Sequence, residues 1–409
     1  MGIVGEALEG LKYLPQWYSQ RAKARDKSLW TFGAWDGLRY SDNSRALYEY
    51  TLANCPDIKA VWMTKSPKVF EQLTAKGLPV EMCYSESGRA VQRKAGYFFL
   101  TKGPDDGDPM QMNGCHLIWL WHGMPLKQIG RDSMAFLHKN TLWKHIKTSI
   151  RRVFLPWQFW GGETLSSSPF FTPFLQSAFG LSKEDVWEVG LPRNDHFFKN
   201  DVTEQIIIDL HHRFDRSDGA GRKDPVKLLL YMPTHRDQAT REGHPFDPFH
   251  LAGFDATKLE PVLEAKNNVL LYKGHFFDSA NEGLLSSSRI ITVTDDDYDD
   301  IYTFIKDVDI LMTDYSSIYF DFLLCRKPIV LFPFDLEDYV AYSRPFYFDY
   351  SLMEGKRVYS WHELGEALRN DDYFVPSEQT IRLMNTYLDA NACKRVVEKV
   401  RKQISNNKN

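Results

Sequence analysis

Two short stretches hold most of the side chains able to do chemistry, and they lie far apart. In Trp121-His122-Gly123-Met124-Pro125-Leu126-Lys127 an imidazole follows an apolar run and precedes a tight turn. Gly123 allows close backbone approach, and Pro125 fixes the turn. An imidazole titrates near neutrality, so a neutral His122 is able to take a proton from an attacking hydroxyl. On spacing alone the plainer reading, a His satisfied by the backbone of its own turn, is favoured. The second stretch is Met312-Thr313-Asp314-Tyr315-Ser316-Ser317, running into apolar residues at helical spacing. Asp314, Ser316 and Ser317 suit the start of a helix, where unpaired N–H groups and the helix dipole attract phosphate. A Ser in that position is most often only a cap.

Two further islands extend the pattern. Pro233-Thr234-His235-Arg236-Asp237 offers a planar guanidinium, and Lys273-Gly274-His275 offers an ammonium and a second imidazole. Their plainer readings are a solvated Arg and a polar pair at a strand end. Taken together, these residues suit a diphosphate with one departing phosphate. No cluster has metal-ligand spacing, so no metal and no cofactor is expected. Arg, Lys, His and helix dipoles would then neutralise the charge.

The elements that must position these groups alternate. Trp30–Gly33, Ile58–Met63, Ala95–Leu100 and His116–Trp121 read as strands, with helices over Asn43–Leu52 and Pro67–Lys76 between them, and Val186–Gly190 precedes Leu191–Asp195, which ends the first unit. After a polar linker at Arg216–Asp224 the pattern restarts with strands at Val226–Met232, Asn268–Lys273, Ile290–Val293, Val308–Met312 and Pro328–Phe332. Such alternation predicts an α/β chain of two doubly wound parallel-sheet domains facing a central cleft. The expected division is 1–215 and 222–390, with 391–409 as a C-terminal helix and frayed tail. Ligands in such sheets bind beyond the carboxyl ends of strands, where all four islands fall.

Composition narrows the class. The chain has 409 residues, 43% hydrophobic and 25% charged, which fits two globular domains of ordinary size. A net charge of −4 argues against nucleic acid as a partner. Five scattered Cys without a CxxC spacing predict reduced thiols in the cytoplasm. Charge is uneven: Trp121 to Trp160 holds seven Lys/Arg against one acid. Within it, residues 139–160 mix cationic and large aromatic side chains, as a surface facing anionic lipid headgroups does. A solvated helix face followed by core aromatics fits that stretch equally well. The acidic run Asp295-Asp296-Asp297-Tyr298-Asp299-Asp300 lacks the Gly turn and distal Glu of a calcium loop and reads as a solvated loop.

The ordered set His122–Lys127, Gly190-Leu191-Pro192-Arg193-Asn194-Asp195, Pro233–Asp237, Lys273–His275 and Thr313–Ser317 resembles the CDP-glycerol glycerophosphotransferase family of teichoic-acid and capsule synthesis. Asp42-Asn43-Ser44-Arg45, Leu47–Tyr50 and Ala60-Val61-Trp62 carry the likeness back to about residue 30. The resemblance implies a GT-B fold with an acceptor-binding first domain and a nucleotide-donor-binding second. It implies transfer of glycerol phosphate from CDP-glycerol to a hydroxyl of a lipid-linked glycan acceptor, with release of CMP. By the same resemblance His122 is the general base and His275 the second catalytic histidine. Arg236, Lys273, Asp314, Ser316 and Ser317 bind the donor, and Gly123, Pro125 and Lys127 shape the acceptor-side turn. The enzyme would be peripheral on the inner face of the bacterial plasma membrane, touching it through residues 139–160.

Three positions depart from the family pattern: Met124 replaces a Thr, His235 an aromatic residue, and Phe276 a Pro. CDP-ribitol is therefore an alternative donor. A nucleotide-sugar transferase on the same fold is a rival, and a non-catalytic nucleotide-binding scaffold a more distant one.

Overall fold

The structure, a computed structural model, describes residues 3–21, 23–133, 149–151, 153–154, 162–199, 203–217, 223–234, 249, 252–274, 288–294, 297–298 and 300–406. Contacts divide it into two compact units. The first comprises 1–122, 135–195 and 389–409; the second comprises 123–134 and 196–388.

Among the described residues the first unit is built on seven parallel strands: β1 (Asp26–Gly33), β2 (Lys59–Thr64), β3 (Val80–Met82), β4 (Ala95–Leu100), β5 (His116–Trp119), β6 (Glu163–Ser166) and β7 (Val186–Glu188). Their order is β3-β2-β1-β4-β5-β6-β7. Strand β4 reads Ala-Gly-Tyr-Phe-Phe-Leu and is buried at every position, as a strand covered on both faces must be. Aromatic rings fill the core beside it. Phe32 stacks on Phe99 at 4.8 Å, and Tyr48 meets Trp62 edge-on at 5.6 Å. The chain reverses its direction of growth between β1 and β4.

Among its described residues the second unit contains a short antiparallel pair, β8 (Arg216–Ser217) and β9 (Lys223–Asp224), and six parallel strands. These are β10 (Lys227–Met232), β11 (Asn268–Tyr272), β12 (Ile290–Thr292), β13 (Ile310–Thr313), β14 (Ile329–Leu331) and β15 (Lys356–Arg357), ordered β12-β11-β10-β13-β14-β15. Here the reversal lies between β10 and β13. A core of Leu229, Tyr231, Leu270, Met312, Phe332 and Trp361 packs on this sheet.

The unit limits differ from the sequence expectation at both ends. Residues 196–215 group with the second unit. There Arg289 lies 4.7 Å over the Phe214 ring, and the Val226 N–H donates to Asp215 Oδ1 at 2.9 Å. The C-terminal helix, Ala392–Asn406, groups with the first unit and buries Cys393, Val396, Val397 and Val400, a stripe at helical spacing. Residues 123–134 group with the second unit through a bridge of Lys127 to Phe346 and a Gln128 N–H bond to Pro345 O at 2.8 Å.

Candidate active site

His122 lies three residues past the end of β5, which stops at Trp119 rather than continuing to Trp121. Trp121 has φ +59°, a left-handed conformation that a bulky L-residue adopts only when its surroundings hold it there. Gly123 follows at φ +141°, open only to glycine. The half-buried imidazole packs between two indoles, Trp121 at 4.0 Å and Trp35 at 5.3 Å between ring centroids. Its Nδ1 is buried and has no hydrogen-bond partner among the described residues. Burial pushes the imidazole pKa down to about 4. The Asp42 carboxylate opposes that shift, and the Arg193 charge adds to it. The ring is thus neutral at pH 7, the form in which it can accept a proton.

Three loop ends meet around this ring because the sheet order brings them together. After β1 comes Trp35 (φ +50°) and Asp36 (φ +60°); after β4 comes 101–107; after β5 comes His122. The buried carboxylate of Asp106 ties the first two. It accepts the N–H groups of Asp36, Thr101 and Lys102, each at 2.7 Å, and of Gly103 at 3.3 Å. Gly33 permits this approach, since a Cβ there would lie 2.4 Å from Asp106 O.

A second buried network joins helix Asp42–Asn54 to the turns after β5 and β7. Arg193 Nη1 donates to Asp42 Oδ1 at 2.7 Å, with both side chains almost wholly buried. Asn43 donates from Nδ2 to Trp121 O at 2.8 Å and to Leu120 O at 3.3 Å, and its Oδ1 accepts the Arg193 N–H at 3.1 Å. The segments containing Asp42 and Arg193 matter in the sequence reading only through the family likeness. Trp35 and Asp106 have no place in it, because their contacts run between residues far apart in the chain.

In the second unit, Asp314 follows β13 directly. Its Oδ1 accepts the N–H of Thr234, just past β10, at 2.9 Å and also that of Tyr315. The carboxylate thus closes the reversal between β10 and β13. Tyr350 OH donates to Asp314 O at 3.0 Å, and Tyr315 packs against Tyr339, Phe346 and Tyr350. Ser316 and Ser317 are half-buried at the start of the short helix Ile318–Phe322. Ser317 stands at the N-cap position and makes no side-chain capping bond to this helix. Lys273 follows β11, its N–H bonded to Tyr231 O at 2.9 Å and its Nζ 5.7 Å from the Tyr298 ring centroid.

Gly123 and Pro125 are buried in the second unit, and Lys127 is half-buried. Arg236 and His275 lie outside the described residues, as does most of 139–160. The described residues contain no group of three or more His, Cys, Asp or Glu able to hold a metal ion, and no helix long and apolar enough to cross a membrane.

The same fold occurs in a solved wall teichoic acid polymerase, TagF, with a TM-score of 0.74 at 20% identity over 100% of this chain and 99% of that one. Two parallel-sheet units of this kind define the GT-B class. The sequence profile of the CDP-glycerol:poly(glycerophosphate) glycerophosphotransferases matches residues 17–402, and the chain belongs to that family. It is 30% identical to the teichoic acid glycerol-phosphate transferase of Staphylococcus aureus, covering 86% of each chain. It is 28% identical to the teichoic acid poly(glycerol phosphate) polymerase of Bacillus subtilis, covering 84% of this chain and 44% of that longer one.

Proposed function

We propose that this enzyme moves glycerol phosphate from CDP-glycerol to a hydroxyl of a lipid-linked, teichoic-acid-type acceptor and releases CMP. The observation that carries this reading is His122, an imidazole packed against the rings of Trp35 and Trp121 past a strand's carboxyl end, its buried Nδ1 without a hydrogen-bond partner among the described residues.

In this scheme His122 takes the proton of the acceptor hydroxyl. That oxygen forms a bond to the donor's β-phosphorus. The bond from the same phosphorus to the bridging oxygen breaks, and CMP leaves with the bonding electrons. Lys273, Ser316 and Ser317, with Arg236 and His275, hold the diphosphate, while Asp314 shapes their turn. Gly123, Pro125 and Lys127 form the acceptor-side turn. Such a transfer rests mainly on positioning and on charge stabilisation.

The acceptor's lipid is met at the inner face of the plasma membrane by the basic aromatic segment 139–160. The excess of seven Lys/Arg over one acid from Trp121 to Trp160 supports this placement.

The test is CMP release from CDP-glycerol by purified protein with a crude membrane acceptor, run beside His122→Ala. Release that the variant loses supports the scheme. Equal release by both removes His122 from it. Release only from CDP-ribitol changes the alditol, and release of UDP or GDP from a nucleotide-sugar replaces the scheme with sugar transfer. Co-flotation with phosphatidylglycerol vesicles, lost in Arg151→Glu/Arg152→Glu, is expected for the membrane contact; flotation that is absent in the wild type or unchanged in the variant would reject it.

A further inference from the structure

We infer that Asn43 is a positioning residue for His122: it holds the Trp121 backbone in its left-handed conformation and so aims the imidazole. This inference rests on the reading of His122 as the base.

Asn43 stands in the first turn of its helix and is fully buried. All its side-chain bonds are directed away from that helix. Nδ2 donates to the two carbonyls immediately before His122, those of Trp121 and Leu120, and Oδ1 accepts the Arg193 N–H. Its own N–H donates to Asp42 Oδ1 at 2.7 Å, and that oxygen is paired with Arg193. Asp42 itself sits at φ +69°. A buried polar network retains this geometry only if its members are satisfied together, and removing one releases the others.

The backbone at the end of the network is strained. A tryptophan at φ +59° pushes its Cβ toward the following carbonyl and returns to negative φ unless restrained. Leu120 is anchored on its other side, its N–H donating to Leu100 O at 2.7 Å. Rotation at Trp121 would therefore move the residue after it, which is His122. Such a rotation takes the ring out of its place between Trp35 and Trp121. A displacement of about 1 Å at a reacting group is enough to lower a rate by about a hundredfold.

Two readouts test this, one of them independent of activity. In the first, Asn43→Ala is expected to lower kcat by about a hundredfold with KM for CDP-glycerol changed by less than about threefold. The same substitution on a Trp121→Gly background is expected to cost less than about tenfold, because glycine occupies the left-handed region without strain. Asn43→Asp keeps the acceptor for the Arg193 N–H and loses both donors, so it serves where Asn43→Ala does not fold and carries the same expectation. In the second readout, carbethoxylation of His122, followed by peptide mass spectrometry, is expected to be faster in either Asn43 variant than in wild type.

A folded Asn43 variant with kcat within threefold of wild type overturns the inference. So does an equal loss on both backgrounds, or an unchanged carbethoxylation rate. If His122→Ala keeps wild-type turnover, the assignment of the base fails instead, and the carbethoxylation rates alone decide the positioning claim.

Discussion

The carboxylate of Asp195 accepts the N–H of Ala392 at 2.8 Å and that of Cys393 at 3.0 Å, so a residue 197 positions upstream caps the C-terminal helix. The next residues of that helix pack on the same turn. Cys393 Sγ lies 3.6 Å from both Ala46 O and Pro192 O, and Arg395 Nε donates to Val189 O at 2.9 Å. The Gly190–Asp195 stretch thus has two structural tasks. Its Arg193 belongs to the network behind His122, and its Asp195 fastens the end of the chain to the first unit.

Replacing Asp195 with Ala removes a buried cap. The expected loss of stability is about 2 kcal/mol, at the upper end for such caps, and a urea denaturation curve measures it. An unchanged midpoint would show that the stripe from Cys393 to Val400 holds the helix without the cap.

The pH dependence of turnover follows from His122. Its folded pKa is held down to about 4, against an ordinary value near 6.5. The acid limb of kcat/KM assigned to the base is therefore expected below pH 5. A limb centred near 6.5 would mean that the base is a solvated imidazole elsewhere. Stability carries the same sign. Between pH 6.5 and 4 an unfolded chain takes up a proton at this residue and the folded one does not, so acidification favours unfolding. His122→Gln should flatten that part of the melting temperature against pH.

Gly33→Ala places a methyl 2.4 Å from Asp106 O, a backbone atom that cannot turn aside. The loops after β1 and β4 must separate to admit it. A destabilisation of about 1–3 kcal/mol is expected, with reduced turnover because Trp35 rides on the same loop. Thermal melting and CMP release measure the two effects, and a variant as stable and active as wild type would show that the contact is not restrictive.

Asp314→Ala takes an acceptor from the N–H groups of Thr234 and Tyr315. A cost of about 1–3 kcal/mol for each group left unbonded is expected, together with a raised KM for CDP-glycerol. Tyr350→Phe removes one bond to the same turn, at Asp314 O, and should cost about 1 kcal/mol with a smaller rise in KM. If Tyr350→Phe raised KM more than Asp314→Ala, the carboxylate would not be what shapes the turn.

Much of the architecture is legible along the chain because its causes are local. Continuous apolar runs such as Ala95–Leu100 and Leu228–Tyr231 are strands buried on both faces, and glycine and proline punctuate the turns after them. The short strands Val80–Met82 and Lys356–Arg357 are not legible in this way, since neither has an apolar run to mark it. The end of β5 is misread for a related reason. Leu120 and Trp121 continue the apolar pattern, and the turn shows only in the tertiary structure, in the left-handed φ of Trp121 and the bonds from Asn43.

The sequence by itself determined the alternation of strands and helices, the family and the turns on which the candidate residues sit. Each of these depends on periodicity or on residue types a few positions apart. Tertiary structure alone decided the order of strands in each sheet, the union of 389–409 with the first unit, and the setting of His122. The last depends on Asp42 and Arg193 meeting across 151 positions and on loops from β1, β4 and β5 converging. Pairings at such separations are set by packing and leave no regular spacing for a reader of the chain to find.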